Sequence, residues 1–323
     1  MRNLGGFFMP AVWGIAMADR YKKRPITFQE QLVQLEERGL QIQDRQAALT
    51  SLASISYYRL SAYWYPFRLR GADGAVTNQL EDGTTFEDVI DLYDFDRRLR
   101  LLIMDAIERV EVAVRTRLTY HLAHRYGAFA HTDRHNFHPG FNHSEWLAKL
   151  EAETVRSSDE FIRHYRSKYD GFPTIPIWML TEVMSLGSLS LLYKGLNNNK
   201  KSGVEDKKSI ADHFNVHHKR LVSWLHTLTY IRNVCAHHSR LWNRELAIRP
   251  DASKDVRWQP PITPRNDRIF YVLLILRHML HPTANGDDWH AAVCRLIEPY
   301  ARNVHYRAAM GLPVNWRDHP IWM

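Results

Sequence analysis

Residues 92–118 read LYDFDRRLRLLIMDAIERVEVAVRTRL. Leu99, Leu102, Ile103, Ala106, Val110, Ala113, Val114 and Leu118 recur in it three or four positions apart. That spacing places apolar side chains on one face of an α-helix. The pattern predicts one long helix from Thr85 to about Tyr126. Glu111 and Arg115 sit four apart on its other side, where an ion pair on a wet face is expected. An isolated helix with one apolar face has nothing to bury it against, so further helices must cover this one.

Those helices are legible on both sides. Residues 27–38, TFQEQLVQLEER, open with a Thr N-cap followed three residues later by Glu30, a capping box, and stop at Gly39. SLASISYYRLSAYWYPFRLR follows and is ended by Pro66. The Gly-, Asp- and Thr-rich run 71–85 predicts a loop. Beyond the long helix come a His-rich loop over 127–143 and an amphipathic helix over 144–169. PIWMLTEVMSLGSLSLLYKGL, 176–196, is apolar nearly all round and is expected in the middle of a bundle. Glu182 within it requires a cationic partner. A solvated loop at 197–208, a short helix at 209–215 and a helix over about 217–240 follow. A Pro-rich connector (250–264) and helices over 267–280 and 287–302 finish the chain. The fold class expected is all-α, with a leader at 1–23, a helical segment at 24–84, a core at 85–249 and an extension at 250–323.

Composition narrows the function classes. The 323 residues are 45% hydrophobic and 12% aromatic, enough to bury a substantial core. Against 35 acidic residues stand 43 Lys and Arg, a net charge of +8, with 18 histidines besides. Such a surplus favours a polyanionic partner, and nucleic acid is the commonest. Two cysteines, Cys235 and Cys294, exclude a disulfide framework and point to a reducing cytoplasm. No run of about eighteen apolar residues occurs, so no membrane span is expected. Residues 1–23 have the outline of a secretory signal. Glycines and Pro10 interrupt their apolar run, so they are taken as a poorly ordered leader upstream of a start at Met17.

Residues 230–244, YIRNVCAHHSRLWNR, carry the chemistry. At 100° per residue, Leu221, Trp224, Leu225, Leu228, Ile231 and Cys235 form an apolar arc. His226, Tyr230, Asn233, His237 and Arg240 fall on one stripe opposite, while Arg232 projects towards the arc. Imidazole can take or give a proton near neutral pH, and a guanidinium or amide can stabilise charge on phosphate oxygens. Together they suit RNA cleavage in which the 2′-hydroxyl attacks the adjacent phosphorus. The plainer reading is that His237 and His238 end a helix, where cations favour the C-terminal dipole.

Two other tracts carry titratable or aromatic side chains at suggestive spacing. His131, His135 and His138 have helical spacing that could hold zinc, but Pro139 and nearby glycines favour an open surface loop, and no metal site is expected. YYRLSAYWYPFRLR interleaves aromatics with Arg59, Arg68 and Arg70, a pattern able to stack and neutralise single-stranded RNA. Core packing of Tyr57, Trp64 and Phe67 is the favoured reading there. Arg97, Arg98 and Arg100 read as surface charges.

The motif and its surroundings resemble the Abi family of abortive-infection proteins, the AbiD/AbiF group within the HEPN superfamily. Four blocks carry the resemblance in order: SYYRLSAYWYPFR, LYDFDRRLRLLIMDAIERVEVAVRTRL, PIWMLTEVMSLGSLSLLY and SWLHTLTYIRNVCAHHSRLWN. It spans roughly Phe28 to Arg244. The resemblance implies a HEPN-like helical bundle with additional N- and C-terminal helices. It also implies a metal-independent endoribonuclease with an R-x4–6-H motif, needing no cofactor and acting in phage defence or as a toxin held by an antitoxin. Arg232, Asn233 and His237 match the R-N-x3-H pattern, and His238 fits a five-residue gap. Tyr230, Arg240, Arg244, Glu182 and Arg59 are further candidates for RNA contact or support. One motif per chain implies a homodimer, and the partners implied are substrate RNA and a small structured RNA. The sequence allows two pairs of alternatives. Arg232 either serves catalysis or is a structural partner of Glu182 or Glu111, with Arg240 as the catalytic cation. The stripe either cleaves RNA or only holds it.

Overall fold

The computed structural model describes residues 23–199, 203–252, 255–259, 265–281 and 286–323, so the expected leader lies almost wholly outside the described residues. The described residues contain thirteen α-helices and two short strand pairs, an all-α fold. They form two compact units, one up to Ile90 and one from Asp91.

In the first unit, α1 (Phe28–Glu37) starts as its sequence dictates. The Glu30 amide donates to Thr27 Oγ1 at 3.2 Å and the Thr27 amide donates to Glu30 Oε2 at 2.7 Å. Gly39, at φ 91°, turns the chain out of it. Asp44 caps α2 (Arg45–Ile55), and Ser56 at positive φ leads into α3 (Tyr57–Trp64). Leu32, Leu35, Leu52, Leu60 and Trp64 make the core, and Tyr57 packs edge-on against Trp64. Tyr57 and Phe67 are only half-buried. The loop expected over 71–85 is partly a hairpin: β1 (Arg68–Arg70) pairs antiparallel with β2 (Val76–Leu80). The Gly and Asp residues make the turn, while Val76–Leu80 has enough extended character to pair, and its Leu80 is buried.

α4 (Phe86–Tyr126) is 41 residues long as the spacing predicted, and its residues from Asp91 onward frame the second unit. Leu99, Ile103, Ala106, Val110, Val114 and Leu118 are fully buried, with Leu102 and Ala113 at the edges of the stripe. The helix expected over 144–169 is two, α5 (His143–Arg156) and α6 (Glu160–Lys168). Between them Ser157 donates to Asp159 Oδ2 at 2.6 Å, a local bond that competes with helix continuation. The apolar run 176–196 is likewise divided into α7 (Ile177–Val183) and α8 (Leu186–Gly195), because Ser185 caps α8 by accepting from the Ser188 amide.

The ends of the loop expected over 197–208 pair as β3 (Asn198–Asn199) and β4 (Val204–Glu205), and α9 (Asp206–Asp212) starts inside that range. α10 (His218–Ala236) is followed by α11 (Ile269–Leu280), buried almost all round, then α12 (Gly286–Ala301) and α13 (Val304–Met310). α11, rather than α7 and α8, is the helix enclosed on every side, since Trp178 and Leu191 face solvent. No described helix is long and apolar enough to cross a membrane.

Candidate functional site

Leu221, Trp224, Leu225, Leu228, Ile231 and Cys235 are all buried, so the apolar arc of α10 packs as its spacing predicted. Burial pushes the Cys235 thiol up to about 12, which removes it as a nucleophile. The helix stops four residues earlier than the expected end at 240. His237 is the C-cap and His238 takes the left-handed conformation, φ 55°. The Ser239 amide donates to the Val234 carbonyl at 3.0 Å and the His238 amide to the Cys235 carbonyl at 2.9 Å. This is a Schellman cap with histidine where glycine is usual.

The chain beyond the cap is anchored by Asp96 of α4, which is 0% exposed. Its Oδ1 accepts from the Trp242 amide at 2.8 Å and from the Leu241 amide at 3.1 Å. Arg100, one turn along α4 and 5% exposed, pairs with the same carboxylate. Arg100 was expected among the surface charges. It is buried because 96, 99, 100 and 103 share the core-facing side of α4, where a carboxylate needs a charged partner. Arg97 and Arg98 do lie outside, both paired with Asp94.

On the open side of α10, His226, Asn233 and His237 are exposed and Tyr230 is half-buried. None of these four side chains hydrogen-bonds to a described residue. Asn233 and His237, one turn apart, share a face. Arg240 does not extend the stripe, because the helix has ended before it, and it is half-buried and engaged by neighbours; His238 is exposed but likewise engaged. Arg244 turns back on this segment and donates from Nε to the Arg240 carbonyl at 2.8 Å.

Arg232 faces elsewhere. It is half-buried, and five positions of helix separate it from His237 by roughly 140°. Its charge acts on Glu111, whose carboxyl is raised by burial and lowered by Arg115 and then by Arg232. Arg115 bonds Glu111 at 3.0 Å, Glu182 at 3.2 Å and the Met184 carbonyl at 3.2 Å. Arg115 is thus the cationic partner that Glu182 requires. Its pair with Glu111 is partly enclosed rather than on a wet face. Of Glu182 and Glu111, the two carboxylates expected as structural partners of Arg232, Glu111 is the one whose charge it meets. Arg59, half-exposed on α3, belongs to the first unit.

The His-rich segment is not an open surface loop. His131 is 1% exposed and its imidazole is pushed down to about 4 by burial, with the charge of His143 adding to the effect. His143 Nε2 bonds the His131 carbonyl at 2.8 Å. His135 is exposed beside Asp133, and His138 is half-buried. Among the described residues no group of three His, Cys, Asp or Glu side chains is placed to hold a metal ion.

Asp96 escaped the sequence reading, although its phase with Leu99 and Ile103 was visible. What hid it was the expectation that charges in an Arg-rich run face water.

Neither the curated proteins nor the solved structures contain a match to this chain. The family of Abi-like proteins matches residues 50–243, which include α4, α7, α8, α10 and the Asp96 anchor. The chain therefore belongs to the Abi-like protein family, which ties it to abortive infection and phage defence.

Proposed function

We propose that this protein is a HEPN-type endoribonuclease of phage defence that works as a homodimer in the cytoplasm. The observation that carries the reading is the exposed Asn233–His237 pair at the capped end of α10. Imidazole is the side chain suited to proton transfer near neutral pH. In the proposed step the 2′-oxygen attacks the adjacent phosphorus while His237 of one copy takes the hydroxyl proton. The bond from phosphorus to the 5′-oxygen breaks, and that oxygen takes its proton from water. The products are a 2′,3′-cyclic phosphate and a 5′-hydroxyl, and no metal or cofactor takes part. Asn233 positions the phosphate, and guanidinium charge from Arg232, helped by Arg240, stabilises its non-bridging oxygens.

The purified protein, incubated with end-labelled RNA in EDTA, is expected to yield those two ends. His237→Ala should lower cleavage at least ~100-fold with the fold intact, since general acid–base catalysis contributes that much and an exposed imidazole packs little. Undiminished cleavage by His237→Ala would sink the assignment. A second reading, an RNA-binding regulator that holds a small structured RNA without cutting it, is favoured by the orientation of Arg232 towards Glu111. It expects salt-sensitive binding and no product ends.

A further inference from the structure

The stripe on α10 does not stop at its catalytic end. At the other end His226 borders a concavity of about 280 Å³ between α8, α10 and the segment 249–251. Lys194 of α8, Lys219 of α10 and Arg249 line it, with the hydroxyl-bearing Ser190 and Ser223. Ser223 Oγ accepts from the Asp251 amide at 2.7 Å, which fixes the third wall against α10. Arg249 is shared with Glu245 at 2.5 Å. Lys194 and Lys219 form no ion pair with any described residue. Asp251 contributes one carboxylate, fewer than the cations around it.

The field here is positive beyond these groups. Lys207 donates to the Lys194 carbonyl at 2.8 Å, and burial followed by the charge of Lys194 lowers its pKa. His218 is lowered too, first by burial and then by His217, Lys207 and Lys219. Unpaired ammonium groups repel one another, and an anion between them relieves that repulsion.

We propose that this concavity is a phosphate subsite for the backbone of single-stranded RNA, with Lys194 and Lys219 as its principal cations. The proposal rests on the RNA-cleaving reading of the same helix and gives it a direction. His226 and His237 are eleven positions apart, about 16 Å at ~1.5 Å per residue. That is the length of about five stacked nucleotides at ~3.4 Å each. A strand cut at His237 therefore runs along α10 and is gripped by its backbone about five nucleotides away. The grip is independent of base identity, because ammonium groups on phosphate read charge and not sequence.

The test uses a twelve-nucleotide 2′-O-methyl RNA, which binds but lacks the attacking hydroxyl. Its dissociation constant is measured against salt for the full-length protein, for Lys194→Ala/Lys219→Ala and for a control, Lys149→Ala/Lys168→Ala, on α5 and α6. The subsite variant is expected to lose about 0.7 from the log–log salt slope, the value for one phosphate released, with the control unchanged. An unaltered slope, an equal loss in the control, or no binding by the unsubstituted protein overturns the proposal. Cleavage of unmodified RNA is scored separately. A normal cut with an unaltered slope defeats the subsite alone, and a lowered slope without any cut defeats the nuclease reading alone.

Discussion

Asp96 is the side chain on which the geometry at the end of α10 depends. It holds two main-chain amides and one guanidinium in a space closed to water. Asp96→Ala would leave the Arg100 charge buried without its partner, at about 3–5 kcal/mol for a broken buried pair. Urea unfolding of the purified variant should show that loss as a lower midpoint. Asp96→Asn should lose less, since an amide oxygen can still accept from Leu241 and Trp242. A similar contrast exists at His238, whose φ of 55° is a strained setting for a side chain with a Cβ. His238→Gly is expected to leave stability unchanged or raise it by up to about 1 kcal/mol. His238→Val should lower it by ~1–2 kcal/mol, because a β-branched residue tolerates the left-handed region least. If both variants melt alike, the strain assigned to this cap is absent.

Among elements, those with a long uninterrupted period were legible in the sequence and those divided by one local bond were not. α4 and the apolar arc of α10 emerged from spacing because each buries a continuous stripe. The joins between α5 and α6 and between α7 and α8 were hidden, since Ser157 and Ser185 each interrupt a periodic run by bonding to a neighbour. The candidate site divides the same way. Asn233 and His237 were readable as one helical face, but the end of the helix at His237 depends on a backbone conformation that a His-His-Ser run does not announce. The His-rich segment before α5 was misread because composition cannot tell a buried imidazole from a solvated one. Its burial has a pH consequence. His131 titrates near its ordinary 6.5 when unfolded and at about 4 when folded. The unfolded chain therefore holds more protons between those values, and stability should fall as pH drops from about 6.5 towards 4, by roughly 3 kcal/mol at most. Urea midpoints at pH 7.5 and pH 5 check this, and His131→Leu should flatten the difference. His319, also held at about 4 by burial, contributes with the same sign.

For the whole molecule the central expectation is that each of two symmetric sites is completed by both copies. Arg232 and His237 diverge on their own helix, so in the proposed dimer the guanidinium of one copy serves the imidazole of the other. Arg232→Ala and His237→Ala should then each be inactive alone. Mixed in equal amounts, they should recover about a quarter of wild-type activity, as expected when half the dimers are mixed and each mixed dimer rebuilds one of two symmetric sites. No recovery after proven subunit exchange would place both groups in one chain's service. Within each copy, the Asp96 contact joins positions 145 apart in sequence, and what it grasps is main chain. Peptide amides at 241 and 242 are the same whichever side chains stand there, proline excepted. A lineage that loses the carboxylate therefore cannot repair it by changing the residues it held. A screen for second-site suppressors of Asp96→Ala should return revertants at position 96 and hardly any changes at 241 or 242.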